Sequence, residues 1–519
     1  MADAVIDQQT GNPAIDLALD TIKLEKQALV FTNTKMSAEK TAEDIGKKLK
    51  KKAEELEELA LQVRKALPRP TRQCERLAAC IQNSVAFHHA GLTQKQRTIV
   101  EDNFRKGLIR VIACTPSLAM GVDIPAFRSI IRDLRRFTSR GLRHIPVLEY
   151  LQMAGRAGRP KYDKHGEAIV IAASEAEKEK LRSMYIEGEP EEIYSKLAVE
   201  PVLRTYVLSL IAANFVRSKD QITGFFEKTF WAHQYEDIHR LEMVIEKMLE
   251  LLKGYGFIAS SEEEFVSADS LSGTRYRATK LGRRVAEIYL DPLTAHELLL
   301  ALEKAESAGC ARETPPIAYL HMISSTLELR PRLRVKVKEY DKIQERFAEM
   351  EGSLLIEEPS AFDPSYDEYM NSFKTALFFD EWIDERDEEY LLEKYSVRPG
   401  ETRAKLDIAD WLLYSCIELS RIMGHKQVIK DLLKLRLRLK YGVKEELLPL
   451  LRLRQVGRVR ARALYRNNIR DIGALKKASV TSIAAIIKSR KIAEGMKEQL
   501  GQKTEPLSIR KRKGQKGLG

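Results

Sequence analysis

Along residues 14–172, short apolar runs alternate with longer stretches of mixed polarity. Gln27-Ala28-Leu29-Val30-Phe31, Ser84-Val85-Ala86-Phe87, Arg110-Val111-Ile112-Ala113-Cys114 and Glu167-Ala168-Ile169-Val170-Ile171-Ala172 are too short for stable helices, and most run into polar residues. Such runs predict buried strands. Between them, residues 13–26 and 94–106 carry apolar positions at helical spacing, with Thr93 as the second helix's start. Ser37 is the predicted cap of a further helix. Strand, polar tip and capped helix form the unit of a doubly wound α/β domain, where ligands gather at the carboxyl ends of strands. Residues 38–66, rich in Lys, Glu, Ala and Leu, read as a solvated charged helix without chemistry, broken by Pro68-Arg69-Pro70.

From about residue 200 the period becomes helical. Residues 202–213, 218–230 and 238–255 are three amphipathic segments. Phe257-Ile258 and Tyr276-Arg277-Ala278-Thr279 then flank a polar wing, which is a winged-helix pattern. A long helical region covers roughly 282–440, and shorter helices follow. The expected architecture is an α/β domain with a parallel sheet (1–198), a winged helix (199–282), a helical domain (283–442), a helix-hairpin-helix (443–503) and a basic tail (504–519).

Composition narrows the function classes. A formal charge of +12 over 519 residues favours a polyanionic partner. Five cysteines stand without a C-x-x-C pair, which points away from zinc or disulfides and towards a reducing cytoplasm. His88-His89 has no carboxylate or cysteine at ligand spacing, and neighbours on a strand face opposite ways, so no metal site is expected. No signal peptide and no membrane-length apolar run is read, so the expected location is cytoplasmic and nucleoid-associated, with no membrane partner.

The densest chemistry lies in Leu151-Gln152-Met153-Ala154-Gly155-Arg156-Ala157-Gly158-Arg159-Pro160. Two arginines stand three apart, each after a glycine, so they share one face of a helical turn. Their planar donor forks fit phosphate oxygens, and glycine admits a bulky anion to the backbone. Apolar runs on both sides favour a phosphate site over a solvated Gly-Arg tail.

This stretch resembles motif VI of superfamily-two helicases, with wording similar to the archaeal Ski2-like, polymerase-theta-like DNA helicases. Thr32-Asn33-Thr34-Lys35 resembles motif IV, and the segment from Thr115 through Gly121 and Asp123 to Ala126 resembles motif V. The resemblance implies a second RecA-like domain. It makes Arg159 the arginine finger, Arg156 a second phosphate contact and Gln152 a nucleotide sensor, all acting on charge that develops during phosphoryl transfer. It places Gly121, Asp123 and Gly155 near ATP, although the branch often has Asn where Asp123 stands. Thr115 is implied to hold a nucleic-acid phosphate, and His88 and His89 to lie along the nucleic-acid groove.

Between motifs V and VI, five arginines occur in residues 132–143 around the turn Ser139-Arg140-Gly141. The resemblance implies a strand-separating hairpin with Arg135, Arg136 and Arg140 facing phosphates; a surface hairpin with solvated charge is the alternative. Trp411 matches the base-stacking tryptophan of the family's ratchet helix. The family's arginine falls at Ala404, so Arg403 or Lys405 would substitute. Gly457 with Arg458, Arg460 and Arg462 resembles a phosphate-binding helix-hairpin-helix. Gln515-x-x-Leu518 hints at replication-fork partners through a sliding-clamp motif that lacks its aromatic pair.

No Gly-x-x-x-x-Gly-Lys-Ser/Thr loop and no acidic Mg²⁺ motif occurs in the 519 residues. ATP and Mg²⁺ are therefore expected to depend on a first RecA-like domain, whether as a separate polypeptide or lost, and the chain alone is expected to be inactive. The leading expectation is the carboxyl-terminal part of an ATP-dependent 3′–5′ helicase acting on single-stranded or forked DNA. A non-enzymatic single-strand binding module and an RNA helicase portion are the alternatives.

Overall fold

A computed structural model describes residues 6–49, 53–138, 141–158, 163–197, 199–235, 238–261, 274–309 and 314–502. Two compact units emerge: residues 1–195 with 388–405, and residues 196–387 with 406–519.

In the first unit, α1 (Pro13–Lys23) leads into β1 (Ala28–Phe31), followed by α2 (Lys35–Gly46), α3 (Glu54–Arg64), α4 (Arg72–Ile81) and β2 (Val85–His88). Next come α5 (Gln94–Arg105), β3 (Val111–Cys114) and β4 (Arg128–Ile131), then the hairpin strands β5 (Arg135–Thr138) and β6 (Gly141–His144). α6 (Val147–Ala154), β7 (Glu167–Val170) and α7 (Glu175–Leu181) complete the chain to residue 195. The sheet order is β2-β3-β1-β4-β7, and every pairing is parallel. β1 to β4 are buried along their whole length. That explains their unbroken apolar spelling, since a parallel strand covered on both faces has no polar side.

Two local expectations change. Thr34, not Ser37, caps α2: its side chain accepts the Ser37 N–H at 3.0 Å, and the Ser37 hydroxyl instead accepts from the Arg132 guanidinium. The charged run after residue 38 is two helices rather than one, and it buries Glu39.

The second unit opens with α8 (Glu200–Ala212), α9 (Lys219–Phe226), α10 (Phe230–Tyr235) and α11 (Ile238–Gly254). The expected single helix over 218–230 is therefore two, parted where the Thr229 hydroxyl bonds back to the Phe226 carbonyl at 2.6 Å. Strands β8 (Ile258–Ser260) and β9 (Tyr276–Ala278) pair antiparallel beside these helices, completing a winged helix. α12 (Lys280–Glu287), α13 (Pro292–Gly309), α14 (Pro316–Ser324), α15 (Tyr340–Ala348) and α16 (Tyr366–Ile383) follow. α17 (Glu388–Tyr395) and the first residues of α18 (Pro399–Met423) belong to the first unit, and the rest of α18 with α19 (Gln427–Tyr441) to the second. The last region, α20 (Arg458–Arg466), α21 (Ile472–Lys477), α22 (Val480–Ile487) and α23 (Arg490–Gln499), has its own core built on Leu464, Leu475, Ile483 and Met496.

Gly282 in α12 shows how closely the winged helix is packed, because a Cβ there would overlap the Phe257 carbonyl oxygen. Gly282→Ala should destabilise the second unit by about 1–3 kcal/mol, read as a lower denaturant midpoint with an unchanged slope.

Candidate nucleotide and nucleic-acid site

Segments leave the carboxyl edge of the first unit's sheet after β1, β2, β3, β4 and β7. The edge is stitched by backbone bonds: the Thr32 N–H donates to the Cys114 carbonyl at 2.8 Å, and the Thr115 N–H to the His88 carbonyl at 3.3 Å. The Thr115 hydroxyl lies 2.9 Å from the Ser117 hydroxyl, at the start of a single 3-10 turn.

The stretch from Gly121 to Ala126 and the one from Gly155 to Gly158 are zipped together. The Ala126 N–H donates to the Arg156 carbonyl at 2.9 Å, and the Gly158 N–H to the Ala126 carbonyl at 2.7 Å. The buried Ser129 hydroxyl adds a bond to the Met153 carbonyl at 2.8 Å, tying β4 to the end of α6. Arg156 is thereby set between the two segments. Its guanidinium donates to the Ala119 carbonyl and lies 3.9 Å from the carboxylate of Asp123, which is itself 94% exposed. Gly121 and Gly158 have positive φ, a conformation that glycine adopts at no steric cost. Gly155 caps α6 in ordinary right-handed geometry, so its backbone alone does not demand glycine. Gln152 is exposed on α6. Arg159 and Arg140 lie outside the described residues.

The arginine-rich segment is a two-stranded hairpin pairing Arg135 with His144 and Phe137 with Leu142. Phe137 is 84% exposed. Arg136 is not a loose cation, because the same guanidinium nitrogen lies 3.0 and 2.7 Å from the two oxygens of the buried Glu149 carboxylate. Arg135 is held through its main chain, whose carbonyl accepts from the Asn33 amide at 2.9 Å.

Both histidines at the end of β2, His88 and His89, turn inward. His88 Nε2 lies 2.9 Å from Glu101. His89 is fully buried and stacked on Phe87, with ring centroids 5.5 Å apart. Its Nδ1 accepts the Gly91 N–H at 3.1 Å, which leaves the proton on Nε2 to donate to Glu39 at 3.1 Å. The Glu39 carboxylate, 2% exposed, also accepts from Arg398 Nε at 2.9 Å, from Gln73 at 3.3 Å and from Arg76. Burial alone would raise its pKa, but the bonds from His89 and Arg398 overcome that and hold it at about 2, so the group is ionised. Burial pushes His89 the other way, below the usual imidazole value, and keeps it neutral. Neither ring reaches outward to a phosphate in this arrangement. Both rings are engaged in interior bonds.

Family models match three stretches: the helicase conserved C-terminal domain over residues 64–161, a helix-turn-helix domain over 166–259, and domain 4 of archaeal helicases over 317–442. The ATP-dependent DNA helicase Hel308 of Pyrococcus horikoshii is 38% identical over 497 residues, which cover 94% of this chain and 66% of that protein. The Hel308 of Pyrococcus abyssi is 37% identical over 506 residues, covering 96% and 67%. That of Methanocella arvoryzae is 38% identical over 496 residues, covering 94% and 65%. The chain belongs to the Hel308 family. It spans about two thirds of the length of these relatives.

In this Hel308-family chain, Trp411 is half-buried, and its indole Nε1 donates to the Ile288 carbonyl at 3.1 Å. The helix around it is braced within the second unit. Arg436 grips Asp410 in a two-pronged pair at 2.8 and 2.9 Å and lies over the Tyr414 ring, 5.1 Å from its centre. Arg403 is exposed on α18, in the part belonging to the first unit. In the terminal region positive φ falls on Gln455, while Gly457 is extended as the N-cap of α20. Arg458 stacks over Trp382 with its guanidinium 4.6 Å from the ring centre, and Arg460 donates to the Gln455 carbonyl at 2.6 Å. Arg462 is neutralised by Glu385 and Glu446. In the winged helix, α11 carries Glu242, Glu246 and Glu250 four apart, and Glu246 pairs with Lys219 at 3.1 Å while Glu242 lies 3.7 Å from His239.

Sequence reasoning missed Glu39. Lys40 and Glu43 follow it in an unremarkable charged run, and the partner that explains its burial, Arg398, lies 359 residues away. Because Glu39 is held down from 4.5 to about 2, its stabilisation is present above pH 4.5 and is lost as pH falls towards 2. The depressed His89 adds a loss that begins as pH falls below 6.5, where the unfolded imidazole protonates first. Urea midpoints against pH should show both declines, and Glu39→Gln should remove the lower one, about 3 kcal/mol.

Proposed function

We propose that this chain is the carboxyl-terminal motor portion of an ATP-dependent DNA helicase that translocates 3′ to 5′ on single strands and opens forked duplex. What carries the reading is the zipper that joins the end of motif V to motif VI and holds Arg156 near Asp123, in a chain whose relatives are ATP-dependent DNA helicases. The 519 residues hold no phosphate-binding loop. ATP and its Mg²⁺ are accordingly shared with a first RecA-like domain that contributes the loop and the metal-binding carboxylates. Arg159 acts as the arginine finger, Arg156 as a second phosphate contact and Gln152 as a nucleotide sensor, with Gly121, Asp123 and Gly155 around the nucleotide.

DNA engagement falls to Thr115, the hairpin with Arg135, Arg136 and Arg140, the pair Arg403 and Trp411, and the terminal Arg458 and Arg460. Arg462 joins them only by exchanging its two carboxylates for phosphate. The exposed Phe137 gives the hairpin an apolar edge suited to meeting unstacked bases. The winged helix serves as a packing hinge, as the resemblance implies.

The full chain, mixed with the first RecA-like domain of a Hel308 relative, should gain DNA-stimulated ATPase activity, and Arg159→Ala should abolish it. Appreciable turnover by the chain alone would sink this division of labour. Tight DNA binding without rescue would favour a non-enzymatic binding module. Binding confined to RNA oligonucleotides would favour an RNA-directed relative. Trp411→Ala should weaken single-stranded DNA binding roughly 5- to 150-fold, the worth of one base–aromatic stack of about 1–3 kcal/mol.

A further inference from the structure

The loop after β2 is occupied by another part of the same unit. The Gly400 N–H donates to the Gly91 carbonyl at 3.0 Å, closing residues 398–401 onto residues 90–92. Both glycines are required there. A Cβ at Gly91 would overlap the Arg398 side chain, and one at Gly400 would overlap the carbonyl oxygens of Leu92 and Leu92's neighbour but one, Ala90. Glu401 finishes the joint, since its carboxylate accepts the Arg398 N–H at 3.0 Å and pairs with Lys35 at the start of α2. The centre of the joint is Glu39, which His89, Arg398 and Arg76 reach from three separate elements.

We infer that Glu39 is a positioning residue for nucleic-acid engagement: through His89 and Arg398 it fastens the first turn of α18, and Arg403 with it, to the carboxyl edge of the RecA-like sheet. The physical argument is one of cost. A buried carboxylate with one partner removed is strongly destabilised, so the four-way arrangement forms completely or opens as a whole. Arg398 is the only arm of the joint that belongs to the α18 segment and touches Glu39 among the described residues. When it lets go, Glu39 loses a charged donor at the same moment as Gly400 loses Gly91. The loop of the His88–Leu92 motif thereby acts as a seat for a helix, and its histidines need no contact with DNA to influence it.

This inference rests on the DNA-engaging reading above, and two measurements on the full chain separate them. Amide hydrogen exchange followed residue by residue should show Gly400 and Thr402 exchanging at least tenfold faster in Glu39→Gln than in the parent, while Ile112 and Ala113 in β3 stay within threefold. The dissociation constant for an oligothymidine should rise about fivefold or more with an unchanged salt slope, because no phosphate contact has been deleted. Arg398→Met, which keeps the aliphatic stem over Gly91, should do the same and decides the matter if Glu39→Gln does not fold. Unchanged protection at Gly400 and Thr402 in a folded variant overturns the clasp. Faster exchange with unchanged DNA affinity overturns the positioning role and leaves a local structural bond. A parent chain that binds no DNA defeats the functional reading instead, whatever the exchange shows.

Discussion

A single ionised carboxylate inside the first unit sets terms for everything around it. Glu39 cannot keep its charge away from water unless donors surround it, and the donors come from β2's exit, from α4 and from residues 398–401. Satisfying one buried group therefore fixes three segments at once. The hydrophobic sheet supplies the bulk of the stability, as in any parallel α/β domain. The carboxylate supplies the register in which the surrounding loops stand on that sheet, which apolar packing alone specifies poorly.

The opposite, amino-terminal ends of β4 and β7 are joined by different means. Main-chain bonds between residues 126 and 156–158 do the joining, and the side chains are left for chemistry. Gly166 packs backbone to backbone against Gly158, where a Cβ on Gly166 would collide with the Gly158 main chain. An arginine held by a carbonyl and standing near an exposed carboxylate is preorganised yet still able to exchange its partners for phosphate. The terminal arginines differ in degree: Arg462 has two carboxylates already, whereas Arg458 lies against an aromatic ring.

Much of this is legible in the sequence alone. The strands of the parallel sheet announce themselves as short apolar runs, because burial on both faces leaves no polar alternation to confuse the reading. The winged-helix hairpin followed from two short runs around a polar wing. Caps were less secure: Ser37 and Thr34 are both good N-cap residues, and only the backbone's exit from β1 selects Thr34. Glu39, Arg398 and the inward histidines were not legible as a group, since composition says nothing about which of many charges will meet across 359 residues. His88 and His89 drew attention as a pair, but what matters about them is the carboxylate behind each.

The long reach of that joint also bears on how the protein is made. Residues 1–195 cannot complete their unit until residues 388–405 have been synthesised. At ~5–20 residues per second, the ribosome takes roughly 15–60 s to travel from His89 to Arg398. Throughout that interval the nascent sheet presents Glu39 with only part of its donor set, and an unfilled seat over Gly91. The second unit's winged helix and first helical layers emerge while the first unit is still waiting. The order of synthesis and the order of completion are thus inverted for the first unit.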